Sequence, residues 1–333
     1  MDYYTFDSLD ELYETSETLP LVERHQIHAF NTELEEWENL PYRNSLWTDD
    51  GRATGDISAS EDFYHIIQYG DILETVGKAV ERHQDQLDLD VNGTISLSPS
   101  AHKMTANVDF TGDTRVYADA DDPIDLGLKI RAGHSGFHGL KYDVGGMRQV
   151  CSNGMMAFDS RLHFEQTHSD PFQAGIVYTA VDGVVESPDR IEHRIDEAQD
   201  QTFINQDEAL LVLLEQGIGQ YLDQPVPDLL NALYEEVEDP DAPTLWETYN
   251  AATRSLTHYH RDLPDYELDT GYEQAANLLE TGYSELPDTD KLGKHIVEDR
   301  ANQFIENPDE TTPYWDGEEE SLRQLMADHY TRA

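Results

Sequence analysis

The apolar residues of this chain change their period twice, and the changes mark out three stretches. In residues 1–59, Leu9, Leu12 and Tyr13 give one amphipathic turn and Phe30, Leu34 and Trp37 a second at helical spacing. An acidic prelude of helices and loops is expected there, with Pro41 and the Asp50-Gly51 turn ending it. Ser60-Glu61-Asp62 then offers an N-cap to a stripe of Phe63, Ile66, Ile67, Ile72, Leu73, Val76 and Val80, which Gly70 can break into two helices. From Asp90 to about Val185 the runs turn short, alternating or β-branched. Asn92-Gly93, Thr111-Gly112-Asp113, Gly145-Gly146 and Asn153-Gly154 read there as chain reversals.

After Pro188 helical spacing returns. The predicted helices cover Ile191 to Asn205, Asp207 to Leu222, Asp228 to Val237, a Thr244-capped segment bearing Trp246, Tyr249, Ala252 and Leu256, and stretches near Tyr272 to Tyr283 and Lys291 to Ile305. The order predicts an α+β fold rather than a βαβ repeat. Its centre is an antiparallel, hairpin-rich sheet within residues 60–187, entered by a helix, with the helical region of residues 188–333 packing on that core.

Composition changes the picture in one respect. The chain carries 69 Asp and Glu against 21 Lys and Arg, a formal net charge of -48 spread along its whole length. Self-repulsion on that scale opposes a compact state in dilute buffer. At 1 M salt the Debye length falls to about 3 Å, which removes most of the penalty. The acidity therefore reads as adaptation to the cytoplasm of a salt-accumulating halophile, and 38% apolar residues with 18 Tyr, 10 Phe and 4 Trp favour folding over disorder. No apolar run reaches membrane-spanning length, and the start has neither a basic nor an apolar signal region, so a cytoplasmic protein without a membrane partner is expected. Cys151 is the single cysteine, which excludes an intramolecular disulfide and a cysteine-cluster metal site.

Against this background one segment reverses sign. Between Lys129 and Arg161 stand Lys129, Arg131, Lys141, Arg148 and Arg161 with only Asp143 and Asp159 as acids, where an average stretch of that length would hold about seven. His134 and His138 add donors, and the glycines from Gly127 to Gly154 let backbone N–H groups approach a ligand. Arg, Lys and backbone amides position phosphates, while Phe137, Tyr142 and Phe158 are candidate stacking platforms for bases. In Leu128-Lys129-Ile130-Arg131 the alternation turns both basic residues to one face. The competing explanation is structural: strands buried on one face are poor in acids, and hairpin glycines are turns first.

Other candidates carry less. His25-x-x-His28 and His258-x-His260 lack the HExxH form, and neither a P-loop nor a dinucleotide fingerprint occurs, so no metal, cofactor or catalytic set is assigned. Arg148 lies near Cys151 and can lower a thiol pKa, but a lone cysteine between Val150 and Met155 is more simply a small buried hydrophobe. Asn153 and Gly154 read as a hairpin turn, and Trp246 with Tyr249 as helix core beside Asn250 and Thr253.

The segment Gly127-Leu128-Lys129-Ile130, His134-Ser135-Gly136-Phe137-His138-Gly139 and Met147-Arg148-Gln149-Val150-Cys151-Ser152-Asn153-Gly154-Met155 resembles the centre of the phage/plasmid-like proteins known as domain of unknown function 932. Ser60 to Gln68 is similar to that family's first helix, and Leu245 to Thr253 with His258 to its "W-x-x-x-NA-x-T … H" helix. The likeness spans about Ala59 to Asp262. Gly133 to Phe137 departs from the family's Asn-Ser-x-Asp-Gly, so a role resting on that Asn or Asp does not carry over. The resemblance implies a gene of a mobile element with a part in replication or recombination. A more distant analogy, at the level of fold, to phage single-strand annealing proteins would place Lys129, Arg131, Lys141 and Arg148 in a groove for single-stranded DNA, in a homo-oligomer. The expected function is thus binding of nucleic acid without catalysis. A non-enzymatic oligomeric scaffold or host-interaction protein is the alternative, and an enzyme acting on a phosphorylated compound or nucleic acid the third possibility.

Overall fold

Alternation along two strands sets the architecture of the first half. In β5 (Leu89–Leu97) and β6 (Lys103–Gly112) the buried apolar residues are Leu89, Val91, Ile95 and Leu97, then Met104, Ala106, Val108 and Phe110. Their antiparallel register sets Ile95 against Ala106 and Val91 against Phe110, so both sets share one face. The face continues through Leu126, Leu128 and Ile130 of β8 (Asp122–Gly133) into Tyr142 and Val144 of β9 (Leu140–Arg148). The structure is a computed structural model, and it describes residues 2–57, 64–119, 122–134, 139–148, 156–157, 163–263 and 265–281. They fall into two units divided between Asp196 and Glu197.

In the first unit the sheet runs β1-β5-β6-β8-β9-β10, with β7 on β8 and β11 on β9. Here β1 is Asp2–Phe6, β7 is Val116–Asp119, β10 is Met156–Ala157 and β11 is His163–Gln166. Helices α1 (Leu9–Thr18), α2 (Tyr69–Gln84) and α3 (Ala174–Val185) form the layer over the apolar face. Helix α2 buries Tyr69, Ile72, Leu73, Val76 and Val80, each large apolar side chain contributing about 1.5–3 kcal/mol. A second, three-stranded sheet joins β2 (Val22–Asn31), β3 (Glu36–Thr48) and β4 (Ala53–Ile57). The molecule is α+β, as the pattern predicts, and no helix among the described residues is long and apolar enough to cross a membrane.

Four local expectations are corrected. Phe30 and Trp37 are seven residues apart, a spacing that suits two helical turns but also a tight hairpin. They form a directly opposed cross-strand pair with ring centroids 5.5 Å apart, and Glu35 at φ 57° closes the turn. Residues 2–57 are therefore largely strand, with the turn expected at Leu9, Leu12 and Tyr13 forming α1. Asn92-Gly93 and Gly145-Gly146 are not turns but strand interiors. A Cβ on Gly93 would stand 2.0 Å from the Asn107 carbonyl oxygen and 2.6 Å from the Phe6 ring, so close approach explains this glycine. Residues 174–185, β-branched enough to suggest strand, form α3 because Val177, Ala180, Val181 and Val184 recur at helical spacing and are all buried. Residues 64–68 are not helical and helix α2 begins at Tyr69, while the Ser60 to Phe63 start lies outside the described residues; a Cβ on Gly70 would meet the Ser16 carbonyl oxygen at 2.6 Å, so this glycine seats α1 against the start of α2.

The second unit is helical, built from the end of α4 (Pro188–Asp200) with α5 (Gln206–Glu215), a 3-10 turn at Ile218–Tyr221, α6 (Pro225–Glu236), α7 (Leu245–His258) and α8 (Asp265–Thr281). Helix α7 packs against α5, α6 and α8 and buries Trp246, Tyr249, Ala252 and Leu256. Its start is fixed by a capping box in which the Glu247 amide donates to Thr244 Oγ1 at 3.1 Å and the Thr244 amide to Glu247 Oε2 at 2.7 Å. Thr244→Ala is expected to lower stability by about 1 kcal/mol, measured by thermal unfolding, and Thr244→Ser to restore most of it. The helix predicted at Lys291 to Ile305 lies outside the described residues.

Candidate functional site

The sheet face turned away from the helices is polar, and its register brings separated parts of the sequence together. One cross-strand row reads Thr94, Asn107, Lys129, Asp143 and His163. The next reads Ser96, Thr105, Arg131, Lys141 and Glu165. On the other side of the first lies Asn92, Asp109, Gly127 and Gly145. The Asn107 amide donates to Thr94 Oγ1 at 3.5 Å within its row. Lys129, Arg131 and Lys141 therefore share a face, and Arg131 stands directly opposite Lys141.

Most acids on this face are matched with cations. Arg131 and His163 both donate to Asp143, Lys141 Nζ lies 3.9 Å from Glu165, and Arg115 Nε donates to Asp125 at 2.6 Å. Burial raises the pKa of Asp143, but the His163 bond and the Arg131 charge outweigh it and hold the carboxyl below its ordinary value. The same bond raises His163 above its ordinary value. Asp109 differs. Its Oδ1 is buried without a hydrogen-bond partner, and burial, then the charge of Asp125, push its pKa up to about 7.

Two residues assigned to the site from sequence, His134 and Tyr142, are placed in the core. His134 is fully buried, with its ring 4.7 Å from that of Tyr69 and 5.7 Å from that of His168, and burial lowers its pKa to about 3. It is a neutral core residue, not a surface donor. Tyr142 is also fully buried, because the residue after outward Lys141 must point to the helix side. Arg148 takes the backbone register opposite Ile124 at the end of β9, five residues along β8 from Lys129. Phe137, Phe158, Cys151, Asn153 and Gly154 lie outside the described residues.

Trp246, Asn250 and Thr253 are buried in α7, where Asn250 Nδ2 donates to the Trp246 carbonyl at 3.0 Å and Thr253 Oγ1 to that of Asn250 at 3.0 Å. Both bonds stay within one helix, and they support a structural role. His25 and His28 lie on strand β2, not on a helix. Among the described residues no group of three or more His, Cys, Asp or Glu is placed to hold a metal ion.

The same polar face carries two exposed aromatic rings. Tyr3 pairs with Ser96 and is 66% exposed, and Tyr117 pairs with Pro123 and is 50% exposed, so each side of the face bears an accessible ring. Strict alternation in Asp2–Phe6, with Tyr4 and Phe6 turned inward, is the signal that would have found Tyr3.

Residues 57–285 match the family described as Domain of unknown function (DUF932). The chain belongs to that family. No curated protein and no solved structure matches it. The DUF932 match contains the whole span over which the motifs show a likeness, and it holds every strand of the polar face except β1. Strands β1 to β3 and helix α1 precede it.

Proposed function

We propose that this DUF932 protein binds nucleic acid without acting as an enzyme, holding a single strand across its polar sheet face in the replication or recombination of a halophilic virus or plasmid. The observation that carries the reading is the Arg131–Lys141 pair beside Lys129, in a chain of net charge -48. Asp143 and Glu165 offset part of this like-charge repulsion, and a polyanion would add phosphate oxygens as further acceptors to the same side chains. In molar salt, counterion release adds little to affinity. Hydrogen bonds from Thr94, Ser96, Thr105 and Asn107, with stacking on Tyr3 and Tyr117, then contribute the remainder.

The test is fluorescence polarisation of labelled oligothymidylate in about 2 M KCl, where the Debye length is only a few ångströms. Lys129→Gln with Lys141→Gln is expected to weaken binding about ten- to hundredfold, the range for losing hydrogen bonds to charged groups. Arg131 is left in place because it holds Asp143. Unchanged affinity in the folded double variant overturns the reading.

One observation favours the alternative of an oligomeric scaffold: Phe30, Leu34 and Trp37 on the β2–β3 hairpin are 48%, 59% and 69% exposed. If that reading holds, light scattering in the same salt gives an oligomer that Trp37→Ser dissociates, and no oligonucleotide binds.

A further inference from the structure

Strand β2 is an edge: its sheet runs β2-β3-β4, so one side of its backbone has no neighbouring strand. At the base that side is closed. The Val22 amide donates to Gln68 Oε1 at 2.9 Å, Gln68 Nε2 donates to the Val22 carbonyl at 2.9 Å, and Arg24 Nη2 donates to the Tyr64 carbonyl at 2.6 Å. Val22 and Leu46 pack there with Tyr64. Further out neither support continues. From Gln26 to Asn31 the outer backbone edge meets no hydrogen-bond partner among the described residues, and residues 32–40 are exposed throughout. Phe30 and Trp37, ring against ring, and Leu34 at the turn are among them or beside them, all exposed. A two-stranded hairpin with no layer behind it is marginal in water, and an unpaired apolar edge is a template for another strand. Lys, Pro and charge are the devices that protect such edges, and Gln26 to Asn31 has none of them.

Charge identifies what covers the arm. Its two shafts, residues 24–31 and 39–48, contain no acid, although 69 acids in 333 residues would put between three and four in those eighteen positions. Arg24, His25, His28 and Arg43 stand there instead, and Glu23, 3.8 Å from His25, lies at the base. The acids of the hairpin gather at its tip as Glu33, Glu35, Glu36 and Glu38, all exposed. One arm therefore has an acidic end and an acid-free shaft, and a second copy turned end for end presents the complement of each.

We infer that two copies of this chain dimerise by antiparallel pairing of their β2 edges, the tip of each hairpin lying along the shaft of the other. Such a pairing is two-fold symmetric and closes at two copies. It joins two three-stranded sheets into one of six and gives the outer N–H and C=O groups of β2 their partners. Burial of Phe30 and Trp37 supplies affinity that salt does not screen, while the charges, screened within a few ångströms, set the direction. The arm precedes the residues that match the family, and the inference is independent of what the polar face binds.

Sedimentation velocity of the full chain in about 2 M KCl at about 10 μM is expected to give a dimer. Gln26 lies four residues from Val22 in unbroken register, so its N–H also points outward, and Gln26→Pro removes a donor that β3 does not use. That variant is expected to weaken dimerisation about a hundredfold with an unchanged circular dichroism spectrum. Trp37→Ser, which leaves the backbone alone, is expected to weaken it about tenfold. Oxidative cross-linking reads the orientation: Gln26→Cys, in the middle of β2, is expected to join two copies and Leu34→Cys, at the tip, to leave them separate, with the wild type and its Cys151 as the control. The Lys129→Gln, Lys141→Gln variant is expected to remain a dimer, which keeps this outcome apart from the nucleic-acid reading. A wild-type monomer, a dimer that survives Gln26→Pro, or cross-linking through Leu34→Cys in place of Gln26→Cys overturns the inference.

Discussion

Asp143→Ala is expected to destabilise the first unit by about 3 kcal/mol, the scale for removing one partner of a buried ion pair. The Arg131 and Asp143 side chains are 14% and 16% exposed, so the charge left when the other is lost is only partly hydrated. The substitution also takes the acceptor from His163. Asp143→Asn keeps an acceptor in the same place and is expected to lose about half as much. The pH profile distinguishes a charge effect from a packing effect. A carboxyl whose pKa is lowered on folding adds stability above its unfolded value near 3.9 and loses it as pH falls through the folded value. A histidine whose pKa is raised adds stability below its unfolded value near 6.5 and loses it as pH rises through the folded value. The gap between wild type and Asp143→Asn is thus expected to be widest between about pH 4 and pH 6.5. Thermal unfolding in about 2 M KCl measures it, and a gap that does not change with pH would show that the ion pair adds nothing.

Alternation is what made this face legible, and neglect of it is what misplaced parts of it. Leu128-Lys129-Ile130-Arg131 gives its two faces directly, and the structure has Leu128 and Ile130 fully buried with Lys129 and Arg131 opposite. The same rule applied from Lys141 turns Tyr142 to the helix side, so a list of basic and aromatic residues overcounts the face. Asp109 could not be picked from the sequence. It is one of 69 acids, and only the folded sheet, with Asn92 on one side and Gly127 on the other, shows it to be buried with its Oδ1 unpaired. His163 and Tyr3 come to the face from β11 and β1, pairings of long sequence separation that no local period encodes. The N-terminal stretch misled for a different reason. Phe30 and Trp37 repeat at a distance shared by two helical turns and a two-stranded hairpin, and nothing in their side chains decides between them. Helix α7 was legible because two independent signals agree, the Thr244 to Glu247 capping box and the spacing of Trp246, Tyr249 and Leu256.

Asp109 and Asp143 stand one row apart on the same face, and opposite effects are expected from them. Asp109→Asn should stabilise the protein above neutral pH by about 2–4 kcal/mol, since a rise from 3.8 to about 7 in a buried group corresponds to roughly 1.4 kcal/mol per pH unit. The sign follows from proton binding. Between about pH 4 and pH 7 the folded protein keeps a proton that the unfolded chain has released, so the Asp109 contribution falls as pH rises and levels off above about 7. The amide has no proton to lose, so the variant is expected to equal the wild type near pH 4 and to exceed it increasingly up to about pH 8. Thermal unfolding at those pH values is the measurement, and a constant difference, or a destabilised variant at about pH 8, would contradict the buried-acid description. A neutral amide of the same shape that folds more stably makes the carboxyl a residue whose presence stability alone does not explain.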